Sequence, residues 1–230
     1  MKVVLIRPDI GGNIGAIARA MKNLGFEDLV IVDGCELDEE AHNRAKHAQE
    51  ILNSAERWDR MKWSGFDLTV GTSSETGGGY NVRRNAITPG KLGQRLKDVE
   101  GEVGLIFGPE AKGLRNEEVE KCDLLCHIPA NDEYPVFNLS HAATIILYEL
   151  SKAGKDAAYK LANEDQKRVL MEQLEGLVDE VTREYRRGPV ELSLKNVFGR
   201  GMLSTREANT LIGFFRKIKE RLKKQQSLKG

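Results

Sequence analysis

The stretch VVLIRPDIGGNIGAIARAMKNLG, residues 3–25, contains a complete strand–loop–helix unit. Residues 3–6 form a short apolar run, three of its four residues β-branched, which favours a buried strand. The residues after the glycine-rich loop repeat apolar side chains on one helical face, and Gly25 supplies a stop: Ile14, Ile17, Ala18, Met21 and Leu24. Glycines let the backbone approach a ligand closely, and a helix N-terminus favours anions. This unit therefore predicts a binding loop between strand and helix.

The same alternation continues through the first two-thirds of the chain. Strand patterns follow at residues 29–32, 68–70, 103–107 and 124–128, and helical patterns at residues 39–55 and 144–152. Strands that alternate with helices predict an α/β fold with a mostly parallel sheet covered on both faces. Ligands of such sheets bind beyond the carboxyl ends of the strands. The loops to inspect are those after Ile6, Val70, Phe107 and Ile128.

The pattern changes after residue 150. No further strand is predicted, and residues 163–187 have the apolar spacing of an amphipathic helix that Gly188 and Pro189 would end. The sequence Ser-Thr-Arg-Glu, residues 204–207, is a capping box that opens a last helix. We expect an α/β domain over residues 1–155 and a small α-helical extension over residues 156–230.

The charge is uneven along the chain. The 35 basic and 35 acidic residues cancel overall, but residues 1–154 carry 18 basic and 24 acidic side chains, whereas residues 155–230 carry 17 and 11. Such asymmetry indicates a polyanion-binding end, although a solvated helix face gives the same pattern. No apolar run approaches the ~20 residues that span a bilayer. Three cysteines give no disulfide framework. We therefore expect a cytoplasmic protein without a membrane partner.

Several common motifs are missing. The first loop lacks the dinucleotide fingerprint G-x-G-x-x-G, and the loop at residues 108–114 lacks the Lys and Ser/Thr of a phosphate loop. The four histidines and three cysteines have no metal-ligand spacing, so no metal is expected. Taken singly, Arg19 fits a surface ion pair, and Asn138 and Ser140 fit a helix cap. No single residue of these loops indicates a function; only the loops in combination do.

Three segments, in order, resemble the signature motifs of the SpoU/TrmH-type RNA 2′-O-ribose methyltransferases of the SPOUT superfamily. They are NIGAIARAMKNLG at residues 13–25, IFGPEAKGL at residues 106–114, and residues 128–140, which begin Ile-Pro and end Asn-Leu-Ser. The VGTS stretch at residues 70–73 and the α-helical extension are most similar to the TrmJ branch. Enzymes of that branch methylate the ribose of nucleotide 32, which opens the tRNA anticodon loop.

The resemblance implies a deep trefoil knot in the C-terminal part of the α/β domain, with S-adenosyl-L-methionine bound there in a bent pose. It also implies a homodimer in which motif-one residues of one subunit complete the active site of the other, and the apolar helix at residues 142–150 is the candidate interface. By motif matching, the cofactor contacts are Thr72, Ser73, Ser74, Gly108, Ile128, Pro135, Val136 and Phe137.

The resemblance further implies which residues act on the RNA. We expect Arg19 to stabilise the ribose hydroxyl as an electrostatic clamp, since a guanidinium holds its proton too tightly to be a good base. Residues expected to orient the reactants are Asn13, Glu110, Asn138 and Ser140. From the basic residues of the loops and the positive charge of the C-terminal part, the residues expected to contact the tRNA are Arg7, Arg83, Arg84, Lys195, Arg200, Arg206 and Arg216.

Three alternatives stay open at this point. The target could be ribosomal RNA or another tRNA position. The chain could be a non-catalytic knotted RNA-binding protein. A different α/β nucleotide-binding enzyme is disfavoured by the missing fingerprints.

Overall fold

A computed structural model describes residues 1–74, 86–153, 159–182 and 186–227. The chain divides into two compact units, Met1–Ala158 and Tyr159–Gly230. The domain boundary that we predicted at residue 155 falls outside the described residues. The three cysteines are free thiols.

The first unit is built on a parallel sheet. Its strands in chain order are β1 (Lys2–Ile6), β2 (Leu29–Val32), β3 (Glu56–Trp58), β4 (Leu68–Thr72), β5 (Ala86–Ile87), β6 (Val99–Glu100), β7 (Val103–Phe107) and β8 (Leu124–Cys126). Seven of them form one sheet in the order β3-β2-β1-β7-β4-β8-β5, and every neighbouring pair is parallel. The α/β class predicted from the sequence is confirmed.

All five predicted strands are present in this sheet, and they are its best buried members. Strands β1, β2, β4, β7 and β8 are buried along almost their whole length. The sequence analysis missed β3, β5 and β6, which have two or three residues each and are partly or fully exposed. Short edge strands lack the continuous apolar run by which buried parallel strands are recognised.

In the described part of this unit, six helices cover the sheet: α1 (Gly11–Leu24), α2 (Glu39–Ala45), α3 (Gln49–Asn53), α4 (Pro89–Leu96), α5 (Asn116–Lys121) and α6 (Leu139–Ser151). The single helix predicted over residues 39–55 is wrong. A 3-10 turn at Lys46–Ala48 divides it, because Lys46 adopts a positive φ of 52° that an α-helix does not tolerate.

Helix α1 packs against both α2 and α6. Gly15 allows the close approach to α2, since a Cβ placed there would lie 2.0 Å from the carbonyl oxygen of Ala41. The face of α1 predicted from the sequence is the buried one, with Ile14, Ile17 and Met21 fully enclosed. This packing fixes the start of α1, and with it the loop that follows β1.

The described residues of the second unit form a short strand, β9 (Tyr159–Lys160), and three helices, α7 (Glu164–Val181), α8 (Arg187–Gly201) and α9 (Thr205–Ser227). Helix α7 packs against α8 and α9. The predicted capping box is present: the backbone N–H of Ser204 donates to the Glu207 carboxylate at 2.8 Å, and the Glu207 N–H donates to Ser204 Oγ at 3.3 Å. The α-helical extension is therefore confirmed.

The end predicted for its first helix is wrong. Helix α7 ends at Val181, and Gly188 and Pro189 lie in the first turn of α8 instead of closing α7. Proline is well tolerated in a first helical turn, where its missing N–H would have had no helical partner. None of the described helices combines the length and apolar character that a bilayer crossing needs. The trefoil knot stays a prediction.

Candidate active site

Four neighbouring strands, β1, β7, β4 and β8, end at the same edge of the parallel sheet. A cavity of about 340 Å³ lies at this edge. Its lining includes every residue that the family motifs assign to the cofactor, from three different loops: Thr72, Ser73, Ser74, Gly108, Ile128, Pro135, Val136 and Phe137. The structure thus brings together in one cavity residues that lie up to 65 positions apart in the sequence.

The remaining wall of the cavity is largely apolar, and none of its apolar residues was among the predicted cofactor contacts. It includes Phe107, Leu114, Val119, Cys126, Leu139, Ala142 and Ile146. Phe107, Leu114 and Leu139 belong to the family motifs, but as apolar residues they were not assigned to the cofactor. Burial raises the pKa of the Cys126 thiol to about 12, which keeps this wall uncharged. Such a wall suits the apolar faces of a ligand.

The loop after β7 folds tightly back on itself. A Cβ on Gly108 would lie 2.2 Å from the Gly113 carbonyl carbon, and Gly113 itself adopts a φ of 61°. The Gly113 N–H donates to the Pro109 carbonyl at 2.9 Å and closes the turn. The two glycines are therefore required by the backbone, which at this point forms part of the cavity wall.

Glu110 places a carboxylate in the wall of the cavity. Its Oε1 accepts a hydrogen bond from Asn13 Nδ2 at 2.8 Å, and its Oε2 accepts one from the Asp9 N–H at 2.9 Å. Asp9 lies on the segment that leads into α1 and Asn13 in the first turn of α1, so Glu110 joins the start of α1 to the loop after β7. The lining of the cavity thus includes one carboxylate, that of Glu110, and one ammonium group, that of Lys112.

Asn138 extends this network to α6. Its Nδ2 donates to Asn13 Oδ1 at 3.1 Å, while its Oδ1 accepts from the N–H and the hydroxyl of Ser140 at 2.9 and 2.8 Å. Asn138 is therefore the N-cap of α6 and also a link to the first loop. Glu110, Asn13, Asn138 and Ser140, all predicted to orient the reactants, form one hydrogen-bonded chain.

The loop after β4 is held by neighbours on both sides. Thr72 Oγ1 donates to the Ile106 carbonyl at 3.1 Å, and the Ser73 N–H donates to the Cys126 carbonyl at 3.0 Å. His127 Nδ1 lies 3.1 Å from the Ser73 carbonyl oxygen. His127 was not predicted to belong to the site, because an isolated histidine beside a strand carries no pattern.

Arg19 does not line this cavity. It is exposed on α1 and has no hydrogen-bond or ion-pair partner among the described residues. It lies where two other pockets meet: an apolar groove between α1 and α6 that includes Tyr148, and a basic pocket that includes Lys46. Within one subunit the predicted clamp is therefore separate from the predicted cofactor site.

The structure does not support the RNA contact predicted for Arg7. Its guanidinium makes a bidentate ion pair with Glu118, with N···O distances of 2.7 and 2.9 Å. Glu118 also accepts a hydrogen bond from the Arg115 N–H at 2.8 Å and so caps α5. Arg7 thus anchors α5, whose Val119 is part of the cavity wall.

The other predicted RNA contacts are spread over the chain. Arg206 and Arg216 are exposed on α9, whereas Lys195 and Arg200 lie on α8 and are partly buried. Arg83 and Arg84 lie outside the described residues. Within the residues that the structure describes, no three His, Cys, Asp or Glu side chains come together as ligands for a metal ion.

Comparison with known proteins agrees with this geometry. The profile of the SpoU rRNA Methylase family matches residues 1–148. The tRNA (cytidine-2′-O-)-methyltransferase TrmJ of Methanocaldococcus jannaschii is 37% identical over 226 residues, which cover 94% of this chain and 98% of the relative. The enzyme of the same name from Sulfolobus acidocaldarius is 31% identical, covering 99% of this chain and 97% of the relative.

Solved structures extend the likeness to the whole chain. The crystal structure of TrmJ from Z. mobilis ZM4 has a TM-score of 0.71 at 27% identity, and the match covers 95% of this chain and 98% of that one. A probable methylase family protein from Haemophilus influenzae has a TM-score of 0.66 at 28% identity, covering 97% of each chain. The chain therefore belongs to the SpoU methylase family of RNA methyltransferases, with its relatives in the TrmJ branch.

Proposed function

We propose that the protein transfers a methyl group from S-adenosyl-L-methionine to the 2′-hydroxyl of a tRNA ribose, and that its target is nucleotide 32 of the anticodon loop. The observation that carries the proposal is the cavity at the sheet edge, which gathers all eight expected cofactor residues. The full-length relatives named as tRNA 2′-O-methyltransferases support the acceptor. A cytoplasmic location follows from this role.

The chemistry of the cavity suits the proposed donor. S-adenosyl-L-methionine would supply a methyl group that is already activated by its sulfonium charge. Glu110 and Lys112 place one carboxylate and one ammonium group in the lining, which suit a donor that carries both cationic and anionic groups, and the apolar side chains of Leu114 and Ile146 suit the face of an adenine. The hydroxyls of Thr72 and Ser73 lie at the same edge for polar groups of the donor.

The residues of the chain must then activate a poor nucleophile, since a ribose hydroxyl is barely ionised at neutral pH. Holding the hydroxyl in line with the methyl group supplies up to ~7–11 kcal/mol of the barrier. Arg19 stabilises the negative charge that develops on the oxygen. Its guanidinium keeps its proton, so the hydroxyl proton leaves to water or to a phosphate oxygen.

The proposed active site is shared between two subunits of a homodimer. Arg19 lies outside the cavity of its own subunit but beside the groove between α1 and α6. That groove is mainly apolar, with Ala20, Leu24 and Ile145 in its wall, and Tyr148 there is 52% exposed. A second copy that covers this groove would bring Arg19 to the partner's cavity.

The second unit is the proposed tRNA-binding part. Residues from Lys195 to the end of the sequence include 10 basic and 2 acidic side chains. Arg206 and Arg216 on α9, with Lys195 and Arg200 on α8, would contact phosphates of the tRNA backbone. Arg83 and Arg84 are proposed to contact the same backbone.

Methyl transfer to tRNA, with the product mapped by mass spectrometry, tests the proposal directly. We expect one ribose methylation, at nucleotide 32, in the presence of S-adenosyl-L-methionine. Arg19→Ala and Arg19→Lys should bind the donor as the wild type does and lose most of the transfer. Methylation of ribosomal RNA or of another tRNA position would correct the target, and wild-type turnover in Arg19→Ala would remove Arg19 from the mechanism.

Mixing two inactive variants tests the shared site. Arg19→Ala lacks the clamp, and Gly108→Ala disrupts the cofactor loop of its own subunit. A mixed dimer contains one site with an intact cavity and an intact Arg19, so a refolded equimolar mixture should recover about a quarter of wild-type activity. A mixture of refolded variants that stays inactive, although gel filtration shows dimers, would place Arg19 and the cavity in the same subunit's site.

A further inference from the structure

A second cavity, of about 350 Å³, lies where α1 meets the 3-10 turn at Lys46–Ala48. Its floor is formed by two small, buried residues, Ala45 and Ala48. The polar residues around it are all exposed: Arg19, Lys22, Asn23, Lys46 and His47. Among the described residues, no acidic side chain lines this pocket, which we call the basic pocket.

Two of the cations in the basic pocket are not neutralised. Lys22 pairs with the Glu50 carboxylate and donates to the His47 carbonyl at 2.6 Å. The side chains of Arg19 and Lys46, in contrast, have no hydrogen-bond or ion-pair partner within the part of the chain that the structure describes. The pocket therefore holds two uncompensated positive charges beside the amide of Asn23. This arrangement suits an anion with several acceptor oxygens.

The backbone is bent to build this pocket. Lys46 adopts φ 52° and ψ −112°, a conformation that residues other than glycine rarely take. Gln49 Nε2 holds the bend by donating to the carbonyls of His42 and Lys46 at 2.7 and 3.1 Å. Lys22 holds it from the other side through His47. Strained residues that their surroundings fix in this way cluster at functional sites.

We propose that the basic pocket binds a backbone phosphate of the RNA substrate and thereby positions the strand against Arg19. The inference rests on the proposed tRNA methylation and adds Lys46 and His47 as positioning residues for it. A phosphodiester offers acceptor oxygens to the guanidinium, the ammonium and the imidazole N–H together. Because Arg19 also borders the apolar groove, a phosphate held here fixes the clamp at the proposed subunit boundary.

Binding of fluorescently labelled, unfractionated tRNA to the full-length protein, measured at several KCl concentrations, tests the site. Lys46→Ala should weaken binding about tenfold at low salt and lower the salt-dependence slope by about one ion. His47→Ala should also weaken binding. The matched control is Lys91→Ala, because Lys91 is an exposed lysine of α4 that does not line the pocket. It should bind tRNA as the wild type does.

Lys46→Gly separates phosphate binding from a purely structural role. Glycine adopts a positive φ without strain, so this variant should keep or raise the melting temperature. We expect it to lose tRNA affinity as Lys46→Ala does and to bind S-adenosyl-L-methionine normally. Wild-type tRNA affinity and salt slope in Lys46→Gly would overturn the proposal.

Measuring methyl transfer by the wild-type protein in the same preparation separates the test of the phosphate site from the test of the proposed function. If the wild type does not methylate tRNA, the proposed function fails. If it does, and Lys46→Gly nevertheless binds and methylates tRNA with unchanged affinity and KM, only the phosphate site is overturned.

Discussion

Replacing Arg7 by methionine would remove the ion pair that anchors α5 beside the cavity. The side chains of Arg7 and Glu118 are 23% and 15% exposed, and both guanidinium N–H groups donate at 2.7 and 2.9 Å. Exposed pairs contribute at most about 1 kcal/mol, and breaking a fully buried pair costs about 3–5 kcal/mol. For this partly buried, bidentate pair we expect a loss of about 2 kcal/mol.

Urea and thermal unfolding measure this loss. For a protein of this size, about 2 kcal/mol corresponds to a fall in Tm of about 4–8 °C. The double variant Arg7→Met with Glu118→Gln should lose less stability than the sum of the losses in the two single variants. Each single variant already loses the whole interaction between Arg7 and Glu118, so the double variant cannot lose it twice. Calorimetry should show weaker S-adenosyl-L-methionine binding, because Leu114 and Val119, on either side of Glu118, line the cavity.

The pKa shift of Glu118 fixes the direction in which the stability of the fold changes with pH. Burial is the largest influence on the pKa of Glu118 and raises it, but hydrogen bonds from Arg7 and from the Arg115 N–H outweigh burial, so the net pKa is lowered. A lowered carboxyl pKa stabilises the fold above the unfolded value of about 4.3 and loses this effect as the pH falls through the folded value. The stability difference between wild type and Arg7→Met should therefore be constant from pH 7 to 5 and shrink below about pH 4.

The matched control is Arg60→Met, since Arg60 is exposed and has no partner among the described residues. Its effect should stay within about 0.5 kcal/mol. If Arg7→Met cost no more than this control, or if the double-variant cycle gave no coupling, the assignment of Arg7 as the anchor of α5 would be wrong. A reduced salt slope of tRNA binding in Arg7→Met would restore its predicted RNA contact.

Three further results are expected. Gly15→Ala should destabilise the fold by about 2 kcal/mol, because the new Cβ would contact the Ala41 carbonyl. Gly213→Ala in α9 should stabilise it by up to about 1 kcal/mol, because no atom lies within 4 Å of the new Cβ. Chemical denaturation measures both changes. Asn13→Asp removes the amide donor to Glu110 and sets a second carboxylate beside it, so calorimetry should find a changed donor affinity, and an unchanged affinity would contradict the network. Arg206→Ala and Arg216→Ala should each weaken tRNA binding and lower its salt slope by about one ion, with the donor affinity unchanged; an unaltered slope would exclude that residue from the interface.

Local patterns predicted the elements that depend on local chemistry. The buried strands are apolar runs, α1 has one apolar face that ends at Gly25, and the Ser204–Glu207 capping box opens α9. In each case the deciding interactions lie within a few residues of one another, or the burial is nearly complete. The break in the helix at Lys46 was not predicted, because one of the contacts that hold it, from Lys22 to the His47 carbonyl, joins residues 25 positions apart in the sequence.

The sequence by itself determined an alternating α/β chain with a basic helical end, and its motifs named the residues of a donor site. Only the tertiary structure decided which of those residues meet. The parallel order β1-β7-β4-β8 gathers distant loops at one edge and hydrogen-bonds Asn13 to Glu110 and Asn138. The tertiary structure also pairs Arg7 with Glu118 and leaves Arg19 outside the cavity. The sequence could not predict this difference, because the charge of an arginine does not indicate whether it is paired within the fold or exposed for a partner.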